Sequence, residues 1–188
     1  MIRTRLPVGI IGAGVVGPGS EPWEAAYAVA KGLAEAKLVI LCGGRGGVME
    51  AACRGATDGG GISVALLPSL DADEANLYAT IVLPSDLGSV RNPVVRAPSD
   101  VSRNRVIASA SSCLVACGGG PGTANEIKHA LAFAKTVFGL AGAPDPEPLA
   151  ASDPRQLCGT YLRLASPALA IERVLALLAL SPPPRSAD

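Results

Sequence analysis

The sequence predicts a Rossmann-like, doubly wound α/β fold, with a mainly parallel sheet of six or seven strands and helices on both faces. Three observations carry this expectation. Short apolar runs such as Val39-Ile40-Leu41-Cys42 alternate with longer stretches of helical composition. The runs are apolar throughout rather than at every second residue, as strands buried on both faces of a parallel sheet must be. Three of them stop in glycine clusters, at Gly12, Gly43 and Gly118, and doubly wound sheets bind ligands beyond the carboxyl ends of their strands.

The elements follow in order. Val8-Gly9-Ile10-Ile11 is a buried strand closed by Gly12. A glycine-rich loop runs to Pro22, where Glu21-Pro22-Trp23-Glu24 opens a helix: proline fits the first turn, and acids suit its positive end. That helix continues over 25–36. Residues 37–42 form the second strand, stopped by Gly43-Gly44-Arg45-Gly46-Gly47, and 48–57 form a helix ended by Asp58-Gly59-Gly60-Gly61. The third strand covers 62–67, a polar loop 71–78, and the fourth strand 79–83. Residues 84–98 are rich in turn formers; a long loop of this kind can close over a ligand phosphate through Arg91-Asn92 or Arg96, or these arginines are simply solvated. Asp100 is placed to cap a helix from Val101 to Ser111. The fifth strand covers 113–117, with Cys113 and Cys117 on one face. A helix over 123–135, a sixth strand over 136–140 and a C-terminal helix around 167–180 follow. In the last, Leu175, Leu178 and Ala179 fit a buried stripe. Residues 1–180 are read as one domain and 181–188 as a disordered tail.

Composition narrows the function. The 188 residues are 49% hydrophobic and 17% charged, too apolar for a disordered chain. Sixteen basic and sixteen acidic residues cancel, which argues against nucleic-acid and membrane-surface partners. No apolar run reaches the roughly 18 residues of a membrane span, and no leader is evident at the N-terminus. The five cysteines lack paired C-x-x-C spacing, so no metal site is expected. They read as small buried hydrophobes in a reducing cytoplasm.

The glycine loops differ in specificity. Gly12-Ala13-Gly14-Val15-Val16-Gly17 is a literal G-x-G-x-x-G. However, Pro18, Gly19 and Pro22 delay the helix, and the acid expected about 20 residues on is missing, so a dinucleotide is disfavoured. The bland reading is a strand-to-helix loop of small residues beside a neighbouring ligand. The second loop joins strand to helix directly and suits an anion, with Arg45 as a fork-shaped donor or simply a solvated side chain. The third, Gly118-Gly119-Gly120-Pro121-Gly122-Thr123-Ala124-Asn125-Glu126, is the most specific. Thr123 can cap the helix and donate to a phosphate. Glu126, three residues later, completes a capping box or presents a carboxylate to the hydroxyls of a phosphorylated sugar. In the preceding helix, Arg103 and Arg105 cannot share a face, and Arg103 is taken as the one that reaches the ligand. His129, three residues after Glu126, can face the site or serve structure.

Gly43-Gly44-x-Gly46-Gly47-Val48-Met49-Glu50-Ala51-Ala52, Arg103-Asn104 and Gly119-Gly120-Pro121-Gly122-Thr123-Ala124-Asn125-Glu126 together resemble the Lonely Guy (LOG) superfamily. This group was long labelled "possible lysine decarboxylases", although nothing in the chain looks like a pyridoxal phosphate site. The resemblance covers residues 7–142, and within the superfamily the chain is similar to a branch close to molybdenum cofactor carrier proteins. It implies a Rossmann-like fold and a homodimer or homotetramer with no cofactor of its own. It further implies phosphate or ligand binding by Gly43, Gly44, Arg45, Gly46, Gly47, Met49, Asn104, Gly119, Gly120, Gly122 and Thr123, with Arg103 and Glu126 as the catalytic pair. The implied reaction is hydrolysis of the N-glycosidic bond of a purine-type nucleoside 5′-monophosphate. A carboxylate suits it, because positive charge develops on the ribose ring. Four positions depart from the LOG pattern. Asn104 stands for a lysine, Asn125 for the first of two glutamates, Glu50 for a glycine and Gly118 for a proline. Phosphate binding needs none of the four. A non-catalytic carrier or sensor of a phosphorylated ligand such as molybdenum cofactor needs the same cradles, so both readings stand at this point.

Overall fold

The computed structural model describes residues 6–87, 102–146 and 158–180. In chain order the elements are β1 (Val8–Gly12), α1 (Glu21–Glu35), β2 (Ile40–Cys42), α2 (Val48–Asp58), β3 (Ser63–Leu66), β4 (Ile81–Leu83), α3 (Arg103–Ala110), β5 (Leu114–Cys117), α4 (Pro121–Ala132), β6 (Thr136–Leu140), β7 (Thr160–Arg163) and α5 (Pro167–Leu180). The seven strands form one sheet in the order β4-β3-β2-β1-β5-β6-β7, and every neighbouring pair is parallel. The chain walks outward from β1 to β4, then returns to lay β5 on the other side of β1. The winding therefore reverses between β1 and β5, where Gly12 lies opposite Cys117. Crevices open at such a reversal because the connections leave in opposite directions.

Continuous apolar strands feed two cores. On one face Val8, Ile10, Ile40, Val115 and Phe138 pack with α1, α2 and α5. On the other, Ile11, Leu41, Leu114, Ala116 and Val137 pack with α3 and α4. Successive residues of one strand thus enter opposite cores, which is why β1 and β5 tolerate no polar position. Each large side chain sealed this way contributes about 1.5–3 kcal/mol.

Several elements differ from expectation. β7 was not expected as an apolar run. It is an edge strand, largely exposed, with Tyr161 alone leaning inward over Gly139. The helix expected from Val101 starts at Arg103, and its cap is Ser102, whose hydroxyl accepts from the Arg105 amide at 3.3 Å. Asp100 and Val101 lie outside the described residues, as do Arg91, Asn92, Arg96 and the tail 181–188. α4 starts at Pro121, with Gly120 as its cap and no side-chain capping bond. Proline's fixed φ begins the helix ahead of Thr123, so the Thr123–Glu126 capping box does not form. In α5 the buried residues are Ala170 and Val174, with Ile171 and Leu178 half-buried beside them, whereas Leu175 and Ala179 face outward. The stripe is set by α5 lying along α1, where Ile171 covers Gly32. Cys42, Cys53, Cys113 and Cys117 are buried, but Cys158 is exposed.

Candidate functional site

At the carboxyl ends of β1, β2 and β5 lies a cleft of ≈ 230 Å³. β1 supplies its floor through Ile10, Ile11 and Gly12, and the loop after β1 adds Ala13 and Gly14. Gly43 and Met49 close one side, Arg103 and Asn104 a second, and Gly120, Pro121, Gly122, Thr123 and Glu126 the third.

The third side is an open helix N-terminus. First-turn amides have no partner inside a helix and carry partial positive charge. Where side chains would stand at Gly120 and Gly122, nothing lies within 4 Å, so no side chain crowds this turn. Gly119 does not line the cleft. It sits at φ +121°, and a side chain there would collide with the Thr123 hydroxyl, so its role is to let Thr123 fold in against the turn.

Arg103 and Glu126 give the cleft its charge. Glu126 is only 7% exposed, and its carboxyl receives no hydrogen bond among the described residues. Burial pushes its pKa up to about 7, and the Arg103 cation only partly offsets this. Arg103 is half-buried, and burial holds it below its usual value, opposed by the charge of Glu126. Its one hydrogen bond among the described residues runs from Nη1 to the Gly43 carbonyl at 3.3 Å. A side chain at Gly43 would stand 2.9 Å from that nitrogen and 2.7 Å from the Met49 sulfur, so this glycine makes room for the guanidinium. Arg105 points elsewhere, its guanidinium 4.9 Å from the Phe133 ring centroid.

The second glycine loop behaves differently. The Val48 amide, at the start of α2, donates to the Ala13 carbonyl at 2.9 Å. A side chain at Gly47 would collide with that same carbonyl oxygen. The G-x-G segment after β1 therefore occupies the N-terminus of α2. Gly44 lies against Ala65, and its carbonyl accepts from Asn76 through both the amide (2.8 Å) and Nδ2 (2.9 Å). Arg45 is engaged by Glu74, with Nε 3.0 Å from Oε2.

A second cleft, ≈ 270 Å³, adjoins the first. Arg103 and Asn104 line both, and Arg45, Pro68, Leu87, Ser102 and Asn125 complete it. Asn104 Nδ2 donates to Asn125 Oδ1 at 3.2 Å, bridging α3 and α4.

Of the residues expected at the site, the first cleft brings together Gly43, Met49, Arg103, Asn104, Gly120, Gly122, Thr123 and Glu126. Gly44, Gly46, Gly47 and Gly119 do not line it, Arg45 reaches only the second cleft, and half-buried His129 lines neither. Sequence reasoning missed the β1 contribution from Ile10 to Gly14. The signal was the G-x-G itself, read there as a loop of small residues near a ligand. Among the described residues no group of His, Cys, Asp or Glu could hold a metal ion, and no helix is long and apolar enough to cross a membrane.

A family model described as LDcluster4, the SLOG cluster4 family, matches residues 5–169. An uncharacterized protein from Archaeoglobus fulgidus is 38% identical over 135 residues, covering 72% of this chain and 80% of that protein. Among solved structures, the molybdenum cofactor binding protein of the phototrophic bacterium Rippkaea orientalis superimposes with a TM-score of 0.73 at 26% identity, covering 93% of this chain and 98% of that one. The molybdenum cofactor carrier protein of Chlamydomonas reinhardtii gives 0.69 at 30% identity, over 94% and 99%.

Proposed function

The chain belongs to the SLOG cluster4 family, and we propose that within it this protein binds and carries a phosphorylated pterin-type ligand, with the phosphate at the N-terminus of α4. The observation that carries this reading is the open cradle. Gly120 and Gly122 leave the first turn of α4 uncrowded where it lines the cleft, and Arg103 stands on the opposite side of the same cleft. Backbone amides and a guanidinium are the donors a phosphate needs. The pterin is supported by the likeness to the two molybdenum cofactor proteins, each matched over nearly its whole length. The four departures from the LOG pattern leave the cradle intact, as a carrier requires.

A second reading, hydrolysis of a purine nucleoside 5′-monophosphate, is favoured by one observation: the Glu126 carboxyl is buried, unpartnered among the described residues, and lines the same cleft as Arg103. In that reaction the bond from the ribose anomeric carbon to the base nitrogen breaks, and water adds to the carbon. The base leaves with a proton, and ribose 5-phosphate remains. Glu126 as carboxylate would face the positive charge on the ring and take the proton from water. Arg103 would hold the carboxylate or the phosphate.

One preparation tests both. The purified chain is denatured, and the released small molecules are identified by mass spectrometry and pterin fluorescence. The apo protein is then incubated with adenosine, guanosine and inosine 5′-monophosphates. A stoichiometric phosphorylated pterin without base release establishes the carrier. Free base that disappears in Glu126→Gln establishes the hydrolase. If neither class of ligand binds, the phosphate reading is wrong.

A further inference from the structure

We propose that the second cleft is the subsite for the planar heteroaromatic ring of the ligand, and that the Asn104–Asn125 amide pair reads the hydrogen-bonding edge of that ring. The inference rests on the reading above that a phosphate occupies the first cleft. Its own observations are three.

The clefts adjoin along one seam, where Arg103 and Asn104 border both. A ligand anchored at the N-terminus of α4 that passes the Arg103 side chain enters a further ≈ 270 Å³. That space is not a second anion site, although two arginines border it. Glu74 pairs with Arg45, and the Arg103 guanidinium is turned to the Gly43 carbonyl and the first cleft, where the phosphate would engage it. With Pro68 and Leu87 also on the wall, the described residues leave no unengaged cation for a second phosphate, and the partly apolar lining suits the face of a ring.

The amide pair supplies the edge. Its internal hydrogen bond uses Nδ2 of Asn104 and Oδ1 of Asn125. Asn104 Oδ1 and Asn125 Nδ2 then have no partner among the described residues. One acceptor beside one donor complements a ring N–H next to a carbonyl, or a ring nitrogen next to an amino group. Exchanging the O and N assignments of both amides leaves the same pair of functions. Because the two asparagines sit on different helices, their bond also fixes the spacing of α3 and α4 at the seam.

Calorimetric titration separates the subsites. Ribose 5-phosphate probes the first cleft alone. Guanosine 5′-monophosphate, adenosine 5′-monophosphate and 6-hydroxymethylpterin phosphate probe both. Asn125 is exposed and outside both cores, so Asn125→Ala is expected to fold. It should weaken the tightest ring-bearing ligand about tenfold, as loss of one good hydrogen bond does, and leave ribose 5-phosphate unchanged. Asn125→Asp keeps the shape, replaces the donor with an acceptor, and should lose as much. Equal losses for ribose 5-phosphate, or no loss for any ring-bearing ligand, would overturn the subsite while leaving the phosphate reading intact. Failure of the unmodified protein to bind any of the four would overturn both.

Discussion

Two helices start at neighbouring points of this sheet after glycine-rich turns of almost the same composition, yet their N-termini have opposite fates. At α2 the Ala13 carbonyl takes the Val48 amide, and Gly47 is pressed so close to the β1 loop that no other residue fits. At α4 the space above Gly120 and Gly122 is empty. A helix N-terminus attracts an anion only while its amides are unspoken for. The α2 turn uses its glycines to bring backbone against backbone, and so builds the wall of the cleft. The α4 turn uses them to keep side chains away, and so leaves a cradle. Identical glycines thus serve structure in one place and binding in the other, and substitution distinguishes them.

The largest effect belongs to the closed turn. Gly47 has φ +69°, and its added Cβ would collide with backbone, which cannot rotate away. Gly47→Ala should cost about 4 kcal/mol or more by urea unfolding, combining left-handed strain with loss of the Val48–Ala13 bond. A loss below about 1 kcal/mol would mean that the β1 loop does not hold the end of α2.

Next comes the pH dependence of the open side. Glu126 has a folded pKa of about 7 against an ordinary 4.5. The folded state then binds the proton more tightly than the unfolded state, so this group's contribution to stability is greatest below pH 4.5 and declines as pH rises towards 7. Glu126→Gln mimics the protonated acid. It should match the unmodified protein at pH 4 and exceed it by about 3 kcal/mol above pH 7, at roughly 1.4 kcal/mol per unit. A pH-independent difference between the two would show that the carboxyl is not buried against its charge. No comparable penalty attaches to the α2 turn, whose one ionisable side chain, Arg45, is exposed.

A smaller effect of opposite sign to the first is expected at Gly122. It lies in the first turn of α4 with room for a methyl group. Gly122→Ala should stabilise the protein by about 0.5 kcal/mol through helix propensity, while weakening ribose 5-phosphate about tenfold by crowding the cradle. Gain of stability with loss of binding is the mark of a glycine kept for a ligand. Loss of both would assign Gly122 the same structural task as Gly47.

Most of this architecture was legible in the sequence because strands buried on both faces must be apolar at every position. Val8–Gly12, Leu114–Cys117 and Thr136–Leu140 announce themselves in this way. β7 did not, since an edge strand such as Thr160–Arg163 buries little and reads as loop. The site was legible in part. Gly43, Arg103, Thr123 and Glu126 stand within motifs and converge on one cleft. The sealing of α2 was not legible, because it depends on where the β1 loop lies in space, 34 residues from Gly47 in the case of Ala13. Nor was the engagement of Arg45, whose partner Glu74 comes from a one-turn 3-10 helix in what reads as plain polar loop.

That ion pair supplies the smallest effect and the finest test of the contrast. The Arg45 and Glu74 side chains are 46% and 34% exposed, so solvent screens their bond and it should contribute little to stability. Glu74→Gln should therefore barely move the unfolding midpoint, and even that shift should fade between 0.05 and 1 M salt as screening sets in, on the order of a Debye length of 3 Å at the upper end. Its consequence for binding is expected to be larger than its consequence for stability. With Glu74 neutral, Arg45 becomes an unbalanced cation on the wall of the second cleft, and inorganic phosphate should bind the variant more tightly at low salt than it binds the unmodified protein. If phosphate affinity is unaltered, the neutrality of that cleft does not depend on Glu74, and the closed turn influences the open one only through shape.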